Sequence, residues 1–554
     1  MTTKLIDRRI TLLVLFIGPA VTLVVSPTVS YDPINLIKVL ALTTISFAGF
    51  GLLMSSPRMF KDRLSRKFWL TISFFIFSMF STFLFSGAPK GQQFWGTFGR
   101  QTGILTYFSL LLLLVLVAVT ADLLFYRKIV LSLIITGIPI TIYALVQVAN
   151  LDPVGWSSKD IFATLGNSNF LSAFQGLVSV VCVVLAFESK INSLKRFSLI
   201  VFAIIDMSIV LRSGSIQGFM IFVAGIGVGG YLILRKLIKS NWPLFAYSLI
   251  SCLGTVFAVL GLVNKGPFSK FIYQESILFR ADYMHAGWAM TLKRPFFGVG
   301  MDSYGDWYRT VRGLISTTRT GPERTANTAH NIFLDISSNG GFPFLIVYLT
   351  LLALAFTSAI KLIKSSRNLD FIFIAIFSSW ISYQIQAAVS INQVGVGVWG
   401  WILTGALIGY SRMDLIPTST SVNSKNKKTS TLPPGAALLS LIFMFIGFLV
   451  AFVPLNADLK YRAAINQGRL DLMMQSTKLP GSNSWVLSRT LEAAINNKFI
   501  EQAKVLNKQL RENYPLEIYG WKTLYLLATN PTEKELAVVT LHKLDPFNPN
   551  NPKS

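Results

Sequence analysis

The sequence predicts an all-α polytopic membrane protein with about thirteen transmembrane helices and a small helical domain at its C-terminal end. Three observations carry this reading. Of 554 residues, 52% are hydrophobic and 14% charged, and the apolar residues fall in long runs of the kind that cross a bilayer, roughly 20 residues each. Lys and Arg recur after every second run, as they do in cytoplasmic loops. The last hundred residues change character, with apolar positions at helical spacing.

The spans follow in order. The first, residues 10–25, enters from Lys4, Arg8 and Arg9, and reads as a retained span because no small-residue cleavage pattern follows it. The second, 37–54, is followed by Arg58, Lys61, Arg63, Arg66 and Lys67. The third, 68–86, leads to a Gly- and aromatic-rich loop carrying Arg100. The fourth starts near Ile104 and ends at Arg127 and Lys128; the fifth leads to the loop holding Asn167. The sixth returns to Lys190, Lys195 and Arg196, and the seventh emerges at Arg212. The eighth goes back to Arg235, Lys236 and Lys239, and the ninth, 243–263, delivers the chain to a long polar stretch, Asn264–Asp335. The tenth, 342–359, meets Lys361, Lys364 and Arg367; the eleventh and twelfth form a hairpin.

The predicted domains are therefore a membrane domain over 1–411 with its large loop at 264–335, a polar linker at 412–434, a thirteenth span at 435–454 and a helical domain at 455–554. Because the basic loops alternate without a break, the N-terminus and the linker are expected in the cytoplasm. The 264–335 loop and the C-terminal domain are expected outside. That domain is similar to tetratricopeptide-type repeats, with units near 34 residues; a generic helical domain fits as well.

Charge and composition exclude several functions. Basic residues outnumber acidic ones, 50 to 25, but they lie in loops that orient the spans, so no nucleic-acid partner is expected. Cys182 and Cys252 sit inside apolar runs and read as small buried hydrophobes. No spacing of His, Cys or carboxylates suggests a metal, and no motif suggests a nucleotide or other cofactor.

The polar stretch is the candidate working face. Between Asn264 and His330 there are nine basic and five acidic residues, which favours an anionic partner: a substrate phosphate or lipid headgroups. Arginine donates two parallel hydrogen bonds to phosphate oxygens. Arg280, with Trp288 eight residues on, lies in a probable helix; a snorkelling surface role is its alternative. Arg100 and Arg212 have interfacial anchoring as theirs. His330, at the return to the membrane, can exchange a proton near neutral pH or serve structure alone. Asp206, inside the seventh span, is costly in lipid and faces protein or water.

Five segments in order resemble the O-antigen ligase and O-antigen polymerase superfamily. QFWGTFGRQTGILTY is similar to its Gly-x-x-x-Arg-x-x-Gly loop, and ATLGNSNFLSAF to its Gly-Asn-x-Asn-Phe-Leu segment. RADYMHAGWAMTLKRPFFGVG resembles its Arg-led helix, AHNIFLDISSNGGFPFLIVYL its His-Asn segment, and SINQVGVGVWGWILTGALIG its final hairpin. The resemblance implies a glycosyltransferase of the all-helical, lipid-donor (GT-C-like) architecture in a bacterial plasma (inner) membrane. It would move a glycan from an undecaprenyl-diphosphate carrier to an acceptor hydroxyl on a glycan, lipid or protein at the outer face, with no metal or cofactor. By the same resemblance Arg280, Arg100 and Arg212 would hold the diphosphate and His330 with Arg280 would serve catalysis. Asn167, Trp288 and Asn331 would contact the glycan or acceptor. The C-terminal domain is a candidate site for a protein partner, and its removal is expected to leave some transfer. The alternative function is a transporter or flippase of envelope glycolipids that makes no glycosidic bond.

Overall fold

The computed structural model describes residues 2–120, 122–412 and 434–553, and all regular structure among them is helical. The chain opens with α1 (Thr2–Leu23), α2 (Asn35–Met54), the short α3 (Pro57–Lys61), α4 (Arg66–Phe85) and the short α5 (Lys90–Trp95). It continues with α6 (Ile104–Val119), α7 (Leu123–Val148), α8 (Ser168–Ala186), α9 (Ser193–Arg212), α10 (Gln217–Leu237) and α11 (Trp242–Leu262). The polar stretch folds as α12 (Ser269–Ile272), α13 (Ser276–Lys293), α14 (Tyr304–Val311) and α15 (Leu314–Thr320). Then come α16 (Ile332–Ser365), α17 (Phe371–Val389), α18 (Val394–Tyr410) and α19 (Pro434–Asn466), followed by α20 (Leu470–Thr477), α21 (Ser484–Asn496), α22 (Ile500–Asn513), α23 (Ile518–Leu527) and α24 (Pro531–Leu544).

Every predicted span falls on a helix, but the lengths and charges are uneven. Among the described residues nine helices are long and apolar enough to cross a membrane: α2, α4, α7, α8, α10, α11, α16, α17 and α19. The other four differ for plain reasons. α6 and α18 are apolar but have 16 and 17 residues. α1 spends its first turns on Lys4, Asp7, Arg8 and Arg9, and α9 carries Lys195, Arg196, Asp206 and Arg212. Most of the predicted linker, residues 413–433, lies outside the described residues.

The bundle has two distinct ends. Basic residues gather at one: Arg63 pairs with Asp7 at 2.7 Å and donates to the Val119 carbonyl at the end of α6. Lys236 donates to the Leu369 carbonyl, and Arg367 to the Arg235 carbonyl. The polar stretch packs on the other end. Inside, Asp206 of α9 is fully buried and accepts from Thr141 of α7 at 2.5 Å, so its partner is protein.

One joint sets the geometry of that second end. α16 is kinked at Gly341, whose φ is +75°, with Pro343 just beyond, the usual causes of a sharp bend. The turn after α13 runs against this kink. Val299 N donates to Ser338 O at 2.8 Å, Gly300 N to Asn339 O at 3.0 Å and Phe342 N to Pro295 O at 2.7 Å. Gly298 has φ +63°, and a Cβ there would lie 2.3 Å from the Asn339 carbonyl. Gly298→Ala therefore meets both a left-handed backbone and a backbone clash, and is expected to destabilise the protein by more than about 1 kcal/mol. The check is a lowered thermal midpoint of the purified protein.

α19 is one continuous helix through the predicted domain boundary at 454, so the thirteenth run passes without a break into the C-terminal domain. There α20 to α24 pack in sequence, each against the next. Leu487, Leu491, Ala494, Ala503, Leu506 and Leu510 form the core between α21 and α22. The hairpins α21–α22 and α23–α24 begin at Ser484 and Ile518.

Candidate functional site

A cavity of about 290 Å³ opens where the polar stretch meets the bundle. It is assembled from six separate places in the chain. The α1–α2 turn supplies Ile34 and Asn35; the loop before α6 supplies Gly99 and Arg100; the turn into α8 supplies Asn167 and Asn169. α13 supplies Arg280, the loop before α16 supplies Asn327 and His330, and the α17–α18 turn supplies Ser390 and Gln393.

Four helices start at this cavity: α2 at Asn35, α8 behind its cap Asn167, α16 behind Asn331 and α18 behind Gln393. A helix N-terminus presents unpaired N–H groups and a partial positive charge. The start of α2 is already capped by the Asp32 carboxylate, and two guanidinium groups beside the starts of α8, α16 and α18 favour an anion. The amides add to it. Asn167 Oδ1 accepts from Asn169 N at 2.8 Å, Gln393 Oε1 from Val396 N at 3.1 Å, and Asn327 Oδ1 from Arg100 Nε at 3.0 Å. Their oxygens are thereby taken, and the amide hydrogens remain to donate. Gln393 Nε2 is buried and has no hydrogen-bond partner among the described residues. No carboxylate is among the residues lining the cavity.

The two arginines are held differently. Arg280, on α13, donates to the Val389 carbonyl at 3.3 Å. Arg100 donates to Asn327 and sits in a loop that Asp302 staples by accepting from Thr97 N at 2.6 Å and Thr102 N at 3.0 Å. Burial lowers the pKa of Arg100, opposed by the charges of Asp302, Asp335 and Asp32.

His330 lies in the left-handed region, φ +52°, its ring 5.2 Å from that of Tyr283. Asp335 Oδ1 accepts from Ala329 N at 2.6 Å and so fixes the residue before it. Burial first, then the cations Arg280 and Arg100, push the His330 pKa down to about 3. The imidazole is neutral at physiological pH and keeps a lone pair for a proton. An unfolded chain binds that proton near pH 6.5. The stability from neutral His330 is thus complete above about pH 6.5 and is lost as pH falls toward about 3. Carbethoxylation of His330, which needs the neutral ring, is expected to proceed at a constant rate from about pH 5 to 7. Mass spectrometry of the modified peptide reads it; a rate that halves near pH 6.5 contradicts it.

Of the residues singled out in the sequence, Arg280, Arg100, His330 and Asn167 line this one cavity. Asn331, next to His330, is occupied otherwise: its Oδ1 caps α16 by accepting from Leu334 N, and its Nδ2 donates to the Ala388 carbonyl. Arg212 and Trp288 are not among the lining residues. Arg212 is exposed at the end of α9, and it is Ser215 of the following turn that bonds Asn169, at 2.7 Å. Trp288 lies two turns along α13 from Arg280, 45% exposed, with its ring against Phe342. Asn35, Asn169, Asn327 and Gln393 are site residues that sequence reasoning did not select. Asn169 and Gln393 do lie in the quoted GNSNF and SINQVG segments.

Among the described residues no group of three or more His, Cys, Asp or Glu could hold a metal ion. Residues 199–349 match the family model described as O-antigen ligase (Wzy_C). The matched segment runs from α9 through α13 into α16, and so includes Arg280 and His330. No curated protein matches the chain. The described residues thus form a multi-pass membrane protein whose regular structure is all helical, and its segment 199–349 is similar to the O-antigen ligase family.

Proposed function

We propose that this protein transfers a glycan from an undecaprenyl-diphosphate carrier to an acceptor hydroxyl at the outer face of a bacterial plasma membrane, as an O-antigen ligase or polymerase. The observation that carries this reading is the cavity itself: two arginines, the N-termini of α8, α16 and α18, and amide donors around one space, with a neutral histidine at its wall. Such a site suits a ligand rich in acceptor oxygens, and a diphosphate is one.

The chemistry follows from the same groups. The acceptor oxygen attacks the anomeric carbon of the donor glycan, and the bond from that carbon to the diphosphate oxygen breaks. Its electron pair stays on the diphosphate, where Arg100 and Arg280 stabilise the developing charge. The acceptor proton passes to His330, whose two cationic neighbours are then offset by the bound diphosphate. That anion raises the basicity of the ring when the donor is in place. In-line displacement inverts the anomeric centre.

The orientation belongs to the same proposal. All thirteen helices that align with apolar runs cross the membrane, α6 and α18 as short spans supported by their neighbours. The basic end faces the cytoplasm, and the cavity and the C-terminal domain face outward. Tetratricopeptide-like stacking of the α21–α22 and α23–α24 hairpins, whose starts lie about 34 residues apart, is part of this reading.

Deleting the protein from its host and comparing envelope glycans tests the function. Loss of long chains with single repeat units still attached is the polymerase result. Accumulation of unattached, carrier-linked chains is the ligase result. Unchanged envelope glycans would remove both.

A further inference from the structure

We infer that the C-terminal domain is an integral part of the donor site, with Trp485 and Asp458 as positioning residues for the Arg100 loop. This rests on the function proposed above and concerns what holds that site in shape.

Two routes connect the domain to Arg100. The first is aromatic. Trp485, in the first turn of α21, stacks on Phe98 with ring centroids 4.2 Å apart and planes at 11°. Phe98 is two residues before Arg100, and Gly99 between them lines the cavity. Tyr31 closes the cluster, 4.6 Å from Trp485, 5.9 Å from Phe98 and 5.6 Å from Tyr461 of α19. Aromatic pairs at such distances attract beyond what their burial alone supplies.

The second route is polar. Asp458, on the part of α19 beyond the span, accepts from Tyr31 N at 2.6 Å and Asp32 N at 3.1 Å. Asp32 Oδ1 in turn accepts from Asn35 N at 2.9 Å. Asn35 Nδ2 donates to the Gly99 carbonyl at 3.1 Å. The chain of contacts ends one residue from Arg100, and each donor and acceptor in it is backbone or a short side chain with little freedom to drift.

The far end of the domain holds the other half of the site. Asp545 is fully buried and receives Arg312 at 2.7 Å and Arg309 at 2.7 Å. Lys522 pairs with Glu323 at 2.7 Å. Those partners lie on the segment that leads into the loop presenting Asn327 and His330. The domain thus grips both segments whose side chains meet in the Arg100–Asn327 bond. A separable recruiting module needs no such grip, so removal of residues 455–554 is expected to abolish donor binding rather than retune acceptor choice.

The test measures binding of radiolabelled undecaprenyl diphosphate to purified full-length protein, wild type against Trp485→Ala, Trp485→Phe and Asp458→Asn. Misplacing a charged donor by about 1 Å weakens its interaction steeply. Trp485→Ala and Asp458→Asn are expected to bind the lipid about tenfold more weakly, measured per folded protein. Trp485→Phe, which keeps the stack, is expected to bind within about twofold of wild type. Wild-type affinity in both Trp485→Ala and Asp458→Asn overturns this inference alone. Weakening in Trp485→Phe equal to that in Trp485→Ala overturns it too. A wild-type protein that does not bind the lipid overturns the proposed donor, and with it this inference; the two failures are told apart by the wild-type arm.

Discussion

Under the proposed function, Arg280→Ala is expected to lower glycan transfer about a hundred- to a thousandfold, the usual cost of removing one preorganised group that stabilises a developing charge. The variant is expected to fold, because among the described residues the Arg280 side chain makes one hydrogen bond, to the Val389 carbonyl. Arg280→Lys recovers little. A lysine keeps the charge but loses the planar fork that bonds two phosphate oxygens at once. Arg100→Ala gives a loss of the same order with an added effect, since it also frees Asn327 Oδ1 in the wall of the cavity. Transfer in reconstituted vesicles, normalised to folded protein, reads both variants. Wild-type rates in both would leave the cavity without a role.

His330→Ala separates binding from chemistry. In the proposed chemistry the ring serves as a proton acceptor, an effect typically of about 10²–10⁴ in rate, and it brings no positive charge, because its pKa is held down to about 3. kcat is therefore expected to fall by about 10² or more while the donor KM changes little. The substitution leaves the Ala329–Asp335 bond intact, since that bond uses backbone on the Ala329 side. A rise in donor KM with an unchanged kcat would instead make His330 a binding residue.

Much of the architecture could be read from residue order because the bilayer imposes one answer on a long apolar run. Each of the thirteen runs falls on a helix, nine of them long and apolar enough to cross a membrane among the described residues, and Arg63, Lys236 and Arg367 bond carbonyls at or near helix ends. Counting was harder. The charges at the start of α1 and along α9, and the shortness of α6 and α18, blur what a membrane span looks like by composition.

The site was legible where chemistry is rare and opaque where it is common. A histidine at a loop–span junction, an arginine in a Gly-rich loop and another on a polar helix stand out in an apolar chain. Asn35, Asn327 and Gln393 do not, because Asn and Gln at such positions read as ordinary helix caps, and Gln393 does cap α18. Only the fold shows that four helices begin around one space. Arg212 and Trp288 illustrate the reverse. Both sit on helices near site segments, yet the direction a side chain takes from a helix follows from packing, and theirs lead to the surface. The tie between Trp485 and Phe98 joins residues almost four hundred positions apart, and no local pattern announces it.

The most direct measurement is the affinity of undecaprenyl diphosphate for the purified protein, compared between wild type, Arg100→Ala, Arg280→Ala and the double variant. Undecaprenol, which lacks the phosphates, serves as competitor. The cavity described above predicts that wild type binds the diphosphate and that each single variant weakens it at least about tenfold. The double variant abolishes binding, and undecaprenol does not compete. Equal affinity in wild type and the double variant would contradict the account.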